Sequence, residues 1–101
     1  MKHRYPSADV FTAMEELLKS TSDGTRLKIL FVLLEGPKNV SQIQSLIGAS
    51  QSLVSHQLKI LRDLNLVSTQ REGTFITYQL SDDHVVQLLE VVYEHALEKR
   101  S

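Results

Sequence analysis

Apolar residues recur every three or four positions through most of the chain, a spacing that predicts amphipathic helices. The first such segment covers residues 9–20, and we expect its apolar side to pack on something outside the core of its own chain. A second helix begins at Ser22 or Asp23 and stops at Gly36 and Pro37. Its predicted buried stripe consists of Leu27, Leu30, Phe31 and Leu34.

The segment from residue 39 to residue 67, NVSQIQSLIGASQSLVSHQLKILRDLNLV, predicts two short helices joined by a tight turn. Ser41 is the expected cap of the first helix, which ends at Gly48, and Ser50 is the expected cap of the second. The side chains expected to face inward are Ile43, Leu46 and Ile47, then Leu53, Val54, Leu58 and Leu61. Two helices joined in this way form a helix-turn-helix.

The next segment, LVSTQREGTFITYQL, alternates apolar and polar residues and predicts a β-hairpin. Its strands cover residues 67–70 and 75–80, around a turn from Arg71 to Thr74 in which Gly73 supplies a permissive position. A hairpin directly after a helix-turn-helix is a wing. A last helix follows over residues 81–98, so the predicted fold is mainly α with a small β-hairpin (α+β), a winged helix-turn-helix.

Length and composition limit what else the chain can be. Its 101 residues predict one domain over residues 1–101, with a core small enough to favour a partner chain. The absence of cysteine excludes disulfides, thiolate metal sites and cysteine nucleophiles. No apolar run is long enough for a membrane span or a signal peptide, so we expect a cytoplasmic protein without a membrane partner. His3 and Tyr93 are assigned to the surface and to packing.

Charge is segregated along the chain, although the net charge is only -1. No acidic residue occurs from Gly36 through Arg62, whereas five acids lie between residues 82 and 98. The second helix of the helix-turn-helix is expected to present Gln51, Ser52, Ser55, His56, Gln57 and Lys59 outward. Gln, Ser and His match the hydrogen-bonding edges of bases, and Lys59 and Arg62 can neutralise phosphate. The simpler alternative is a polar, solvated helix face.

Arg71 is expected at the tip of the wing, where it can contact phosphate or the minor groove. A solvated turn arginine is an equal alternative. The candidate DNA contacts are therefore Gln51, Ser52, Ser55, His56, Lys59, Arg62 and Arg71.

Three of these segments, DGTRLKILFVLLEGPKNVSQI, SQSLVSHQLKILRDLNLV and REGTFITYQL, together resemble the ArsR/SmtB family of bacterial winged-helix repressors. The resemblance covers the chain from about Val10 onward, and SQSLVSHQLKIL is its most specific part. It implies a homodimer, held by the first and last helices, that binds an imperfect inverted repeat of operator DNA and releases it when an inducer binds. It also assigns DNA contact to Gln51, Ser52, Ser55 and His56. The chain departs from many members because KNVSQIQ carries no thiol, which removes sensing modes built on cysteine.

The last helix carries the remaining candidate chemistry, in Asp82, His84, His95 and Glu98. The two histidines are eleven residues apart, roughly 16 Å along a helix, so they cannot share one ion within one chain. An antiparallel pair of these helices, with a seam of Val85, Leu88, Leu89 and Val92, would bring Asp82 and His84 to the partner's His95 and Glu98. Two nitrogens and two oxygens suit tetrahedral Zn(II) or Co(II). A solvated face with helix caps is the simpler alternative.

The zinc sensors of the resembled family carry the same pattern, D-x-H followed after ten residues by H-x-x-E or H-x-x-H. The resemblance also implies that the second ring nitrogen of His95 hydrogen-bonds a backbone carbonyl near Asn65. We therefore expect a metal-responsive repressor whose apo dimer binds its operator. Zn(II), or Co(II), would lower DNA affinity and derepress genes of metal export or homeostasis.

Three alternatives remain open at the level of sequence. The first is a repressor of the same fold controlled by a non-metal signal, and the second is an interaction module without DNA binding. The third is an enzyme using Ser55 and His56, the only adjacent nucleophile and base. Adjacent helix residues point about 100° apart and no oxyanion-hole motif accompanies this pair, so we expect no catalysis.

Overall fold

The computed structural model of the chain describes residues 5–100, and His3 lies outside them. Over this part of the chain, the elements are α1 (Ala8–Thr21), α2 (Gly24–Leu33), α3 (Val40–Ile47), α4 (Gln51–Asp63), β1 (Val67–Glu72), β2 (Phe75–Leu80) and α5 (Asp83–Arg100). The helix-turn-helix of α3 and α4 is followed directly by the hairpin. The predicted α+β winged-helix fold is therefore confirmed.

Side-chain caps define where the first four helices begin. Ser7, Asp23 and Ser50 each accept a hydrogen bond from a backbone N–H in the first turn of the next helix. The prediction that Ser41 caps α3 is wrong, because Asn39 occupies that position. The Asn39 side chain accepts from the Gln42 N–H at 2.8 Å, and the Gln42 side chain accepts from the Asn39 N–H at 2.9 Å. This reciprocal capping box starts α3 at Val40.

The hydrophobic core is built around α2, which contacts α1, α3, α4 and β2. The predicted stripe of α2 is only partly correct. Leu30 is fully buried, but Leu27, Phe31 and Leu34 are only partly buried, and Ile29 and Leu33 take the deeper positions. A helix that is apolar on most sides and contacted from several directions has no single buried stripe. The buried apolar residues are Ile29, Leu30, Leu33, Ile43, Val54, Leu58, Leu61, Leu66, Val67, Val85 and Leu89.

The wing is longer than the sequence predicted. β1 and β2 pair antiparallel from Val67 opposite Leu80 to Glu72 opposite Phe75. This pairing leaves Gly73 and Thr74 as a two-residue loop, with Gly73 at φ 62°. The predicted turn from Arg71 to Thr74 is therefore wrong at its first two residues, and Arg71 lies within β1. A backbone bridge between Lys38 and Tyr78 joins the segment before α3 to β2 of the wing.

Helices α1 and α5 leave much apolar surface uncovered. In α1 only Ser20 is buried, and in α5 only Val85 and Leu89 are. The ring of Tyr93 packs against that of Phe31 at 5.7 Å between centroids, as its assignment to packing predicted. The exposed apolar side chains of the two helices include Val10, Met14, Leu17, Leu18, Leu88, Val91 and Val92. Between residues 5 and 100, no helix is both long and apolar enough to cross a bilayer.

Candidate nucleic-acid interface and metal half-sites

Helix α4 presents a polar face to solvent. Ser50 caps it by accepting from the Leu53 N–H at 3.2 Å, and Gly48 ends α3 in the left-handed conformation at φ 69°, which makes the tight turn between the helices. All six predicted contacts on this helix are exposed, namely Gln51, Ser52, Ser55, His56, Lys59 and Arg62. The structure thus brings them to one accessible helix, with no acid before Asp63.

Gln57 is the exception on the predicted outward face. Its side chain is buried, and its Oε1 accepts a hydrogen bond from Nη1 of Arg26 at 3.1 Å. Nε of Arg26 also donates to the carbonyl of Ser20, at the end of α1, at 2.7 Å. The expectation that Gln57 faces outward is therefore wrong. It anchors the inner face of α4 to α2 and, through Arg26, to α1.

Leu53 is an exception in the opposite direction. It was expected to face inward, but it is 39% exposed and lies beside Ser52 in the first turn of α4. Leu46 of α3 was also expected inside and is 57% exposed. An apolar side chain at the start of a recognition helix can contact the methyl group of thymine. The exposure of Leu53 was not predicted, because an apolar residue on an amphipathic helix is assigned to the core by default.

The wing lies beside the start of the helix-turn-helix. A cleft of about 410 Å³ separates the two, lined by Asn39, Val40, Ser41, Gln44, Gln51, Thr74, Phe75 and Ile76. Arg71 is exposed and pairs with Ile76 across the hairpin, and Phe75 next to the loop is 66% exposed. Lys38 contributes little exposed charge here. Its side chain is only 17% exposed, and its Nζ lies 3.7 Å from Glu35.

The four predicted metal ligands form two pairs at opposite ends of α5. Nδ1 of His84 lies 3.9 Å from Oδ1 of Asp82, and Nδ1 of His95 lies 3.9 Å from Oε2 of Glu98. Oδ1 of Asp82 also accepts from the Val85 N–H at 3.1 Å, so this carboxylate caps the helix as well. The chain bends at Asp82, just after the wing, and this brings the Asp82 carboxylate near the His84 ring.

Each pair offers one imidazole nitrogen and one carboxylate oxygen, and all four side chains are more than half exposed. Over residues 5–100, no three His, Asp or Glu side chains of one chain lie close enough together to hold a metal ion. Two such pairs from different chains would supply the nitrogen and oxygen donors that zinc accepts. The donor chemistry of these pairs therefore fits zinc only if pairs from two chains come together.

The predicted dimer seam needs a correction. Val85 and Leu89 are 8% and 2% exposed and belong to the core of their own chain. Leu88 and Val92 are 39% and 47% exposed, and Val91 beside them is 63% exposed. Because α5 covers its own core with one side, only the other side is available to a second copy. The sequence did not separate the two sides, since both are apolar.

A helix-turn-helix with an acid-free polar face, followed at once by a hairpin, defines a winged-helix DNA-binding domain. Residues 23–69 match the family described as bacterial regulatory protein, arsR family. A CadC homolog of Staphylococcus aureus, a cadmium resistance transcriptional regulatory protein, is 38% identical over 85% of this chain and 72% of its own length. The transcriptional regulator NmtR of Mycobacterium tuberculosis is 44% identical over 78% of this chain and 66% of its own. The chain belongs to the ArsR family.

A solved structure agrees with this assignment. The homodimeric winged helix-turn-helix DNA-binding domain of a Mycobacterium bovis protein superposes with a TM-score of 0.86 at 28% identity. The match covers 98% of this chain and 93% of that one. Members of the family are transcriptional regulators, so the protein is a DNA-binding transcriptional repressor of the ArsR/SmtB type. The expectation that Ser55 and His56 are not catalytic agrees with this membership.

Proposed function

We propose that the protein is a zinc-responsive repressor in which one domain over residues 1–101 both binds operator DNA and senses the metal. The apo homodimer binds an imperfect inverted repeat, and Zn(II), with Co(II) as a possible substitute, lowers that affinity and derepresses metal-export or homeostasis genes. One observation carries the proposal. Asp82 with His84 and His95 with Glu98 stand as exposed donor pairs at opposite ends of a helix with uncovered apolar residues between them.

The dimer is argued from the uncovered faces of α1 and α5. Contiguous apolar surface on a small domain marks an interaction site. In a two-fold symmetric pair, the same patch serves both copies, so α5 can pair antiparallel with its own copy. That arrangement would place the Asp82–His84 pair of each chain near the His95–Glu98 end of the other chain's α5. The homodimeric M. bovis domain, which matches nearly the whole chain, supports this assembly.

The metal site follows from the dimer. Asp82 and His84 of one chain and His95 and Glu98 of the other would hold each ion, giving two symmetric sites. Tetrahedral zinc takes four donors, and here two would come from each chain. Bound zinc would therefore restrain how the two chains are oriented. The name of the S. aureus relative, which refers to cadmium resistance, supports control by a metal.

Operator affinity depends on the distance between the two copies of α4. Recognition helices of a dimer dock in successive major grooves only when they are about 34–36 Å apart. A restraint on chain orientation at α5 changes that spacing, so metal and operator disfavour each other without sharing a residue. The coupling is reciprocal, and operator DNA must weaken zinc binding by the same factor.

Operator affinity with and without zinc tests the function. A duplex selected from a random library with the apo protein serves as the operator, and fluorescence anisotropy measures its Kd. We expect zinc to weaken binding by about 5-fold to 150-fold, the usual range of allosteric coupling. Asp82→Asn keeps a capping side chain but loses the carboxylate, and should lose most of the zinc effect, whereas the matched Asp83→Asn should keep it. Operator binding that ignores zinc would instead favour an ArsR-like repressor controlled by a non-metal signal.

Base reading by α4 predicts a selective loss of affinity. We propose that Gln51, Ser52, Ser55 and His56 contact bases, that Lys59 and Arg62 contact phosphate, and that Arg71 contacts DNA from the wing. His56→Ala should weaken binding to the selected operator by about 1–3 kcal/mol and binding to random duplex by much less. The matched variant His95→Ala should leave apo operator affinity unchanged. An equal loss on both duplexes would assign His56 to the DNA backbone.

A further inference from the structure

The recognition helix ends in a short loop held in an unusual conformation. The Asn65 and Leu66 N–H groups donate to the carbonyls of Arg62 and Leu61 at 3.0 and 2.9 Å and so close the helix. Asn65 has φ 60°, the left-handed region, and it is the only non-glycine residue with positive φ between residues 5 and 100. Asn adopts this conformation more readily than most residues, but it still needs support from its surroundings.

Ser81 supplies that support from the other side of the wing. Its N–H donates to the Leu66 carbonyl at 3.1 Å, and its hydroxyl donates to the Asn65 carbonyl at 2.5 Å. One residue between β2 and α5 therefore binds two consecutive carbonyls of the loop that ends α4. The family resemblance implied a contact between His95 and a carbonyl near Asn65, whereas within one chain the donor to the Asn65 carbonyl is the Ser81 hydroxyl.

The loop and one donor pair share a cavity. A hollow of about 310 Å³ is lined by Asn65 and Leu66 from the loop, Asp82 and His84 from the start of α5, and apolar side chains of α1 and α5. Asp82 is the residue next to Ser81. A displacement of the Asp82–His84 pair therefore acts on the two bonds that Ser81 makes, and through them on the end of α4.

We propose that Ser81 is a positioning residue whose hydroxyl couples the Asp82–His84 half-site to the end of the recognition helix. This inference rests on the proposed function. An interaction carries coupling only if its free energy differs between the two states of the protein. One hydrogen bond that is made in one state and weakened in the other supports a coupling factor of about fivefold, from a net value of about 1 kcal/mol.

Ser81→Ala tests this role in the full-length dimer. The ratio of operator Kd with zinc to operator Kd without zinc should fall about fivefold, while zinc affinity measured by competition with a chromophoric chelator stays within about twofold, because no ligand is changed. Ser81→Thr keeps the hydroxyl and should restore the ratio. Ser68→Ala removes a hydroxyl from the wing, where Ser68 accepts only a 3.5 Å contact from Gln79, and should behave as wild type.

Hydrogen exchange in the metal-free protein gives a second measurement. Ser81→Ala should accelerate exchange of the Asn65 and Leu66 amides and leave the core amides of α2 unchanged. If Ser81→Ala keeps the wild-type zinc effect on operator affinity, the coupling role is wrong but the proposed function stands. The same conclusion follows if Ser81→Thr loses the zinc effect as Ser81→Ala does. If the wild type shows no zinc effect, the proposed function fails first and the coupling role with it.

Discussion

A mixture of His84→Ala and His95→Ala chains is expected to regain one complete metal site per heterodimer. Each mutant homodimer lacks one histidine at both sites, and we expect its affinity for cobalt to fall at least about 100-fold. In the heterodimer, one site has lost both histidines and its symmetry mate keeps all four donors. The heterodimer, purified through two different affinity tags, should show the visible absorption of tetrahedral cobalt at half the wild-type amplitude.

The matched control places the same two substitutions in one chain. A heterodimer of the double mutant His84→Ala/His95→Ala with a wild-type chain loses one histidine at each of its two sites. It should therefore bind cobalt as weakly as the single-mutant homodimers. A site built within one chain predicts the reverse result, since the wild-type chain would keep it intact. If this control binds cobalt and the heterodimer of the two single mutants does not, the assignment of each site to two chains is wrong.

Leu88→Glu and Leu89→Glu are expected to fail in different ways, although the two residues are neighbours. Leu89 is 2% exposed within its own core, so a carboxylate there should destabilise the fold by more than about 3 kcal/mol. Leu88 is 39% exposed on the side of α5 proposed to meet the partner. Leu88→Glu should leave a folded monomer that no longer binds the operator.

Urea unfolding and sedimentation velocity separate these outcomes. The Leu88→Glu chain should keep its helical circular dichroism and sediment as a monomer at micromolar concentration, where the wild type sediments as a dimer. The Leu89→Glu chain should unfold at much lower urea. A Leu88→Glu protein that remains dimeric would move the interface away from this side of α5.

The fold was predictable because local signals agreed with one another. Ser50 and Gly48 mark the ends of the two helices in the helix-turn-helix, and the alternation after residue 66 marks the wing. The errors have a different origin. Gln57 lies three residues after Val54 and four before Leu61, so helical spacing places it on the inner face, and only its polar character led to its assignment outward. Its hydrogen-bond partner Arg26 lies 31 residues earlier in the chain, so the sequence held no local sign that a buried amide would be satisfied there.

The candidate sites were predictable to a similar degree. The spacing from Asp82 to Glu98 predicted that each histidine has a carboxylate nearby, and each pair lies 3.9 Å apart because its members are close in sequence. The side of α5 that packs inward was not predictable, since Val85, Leu88, Leu89 and Val92 are all apolar. Which of them face the core depends on the position at which β2 ends and α5 begins. The bonds from Ser81 to the loop after α4 were also missed, because the residues they join are 15 and 16 positions apart.

The anchored inner face of α4 gives this domain a simple route to new DNA preferences. Val54, Gln57, Leu58 and Leu61 hold the helix in place, and none of them is among the residues assigned to base contact. If Gln51, Ser52, Ser55 and His56 contact bases as proposed, substitutions there are expected to change the preferred DNA sequence without disturbing how the helix is held. The specificity of the domain is therefore expected to vary independently of its stability, because the proposed contact residues are exposed and the residues that hold the helix are buried.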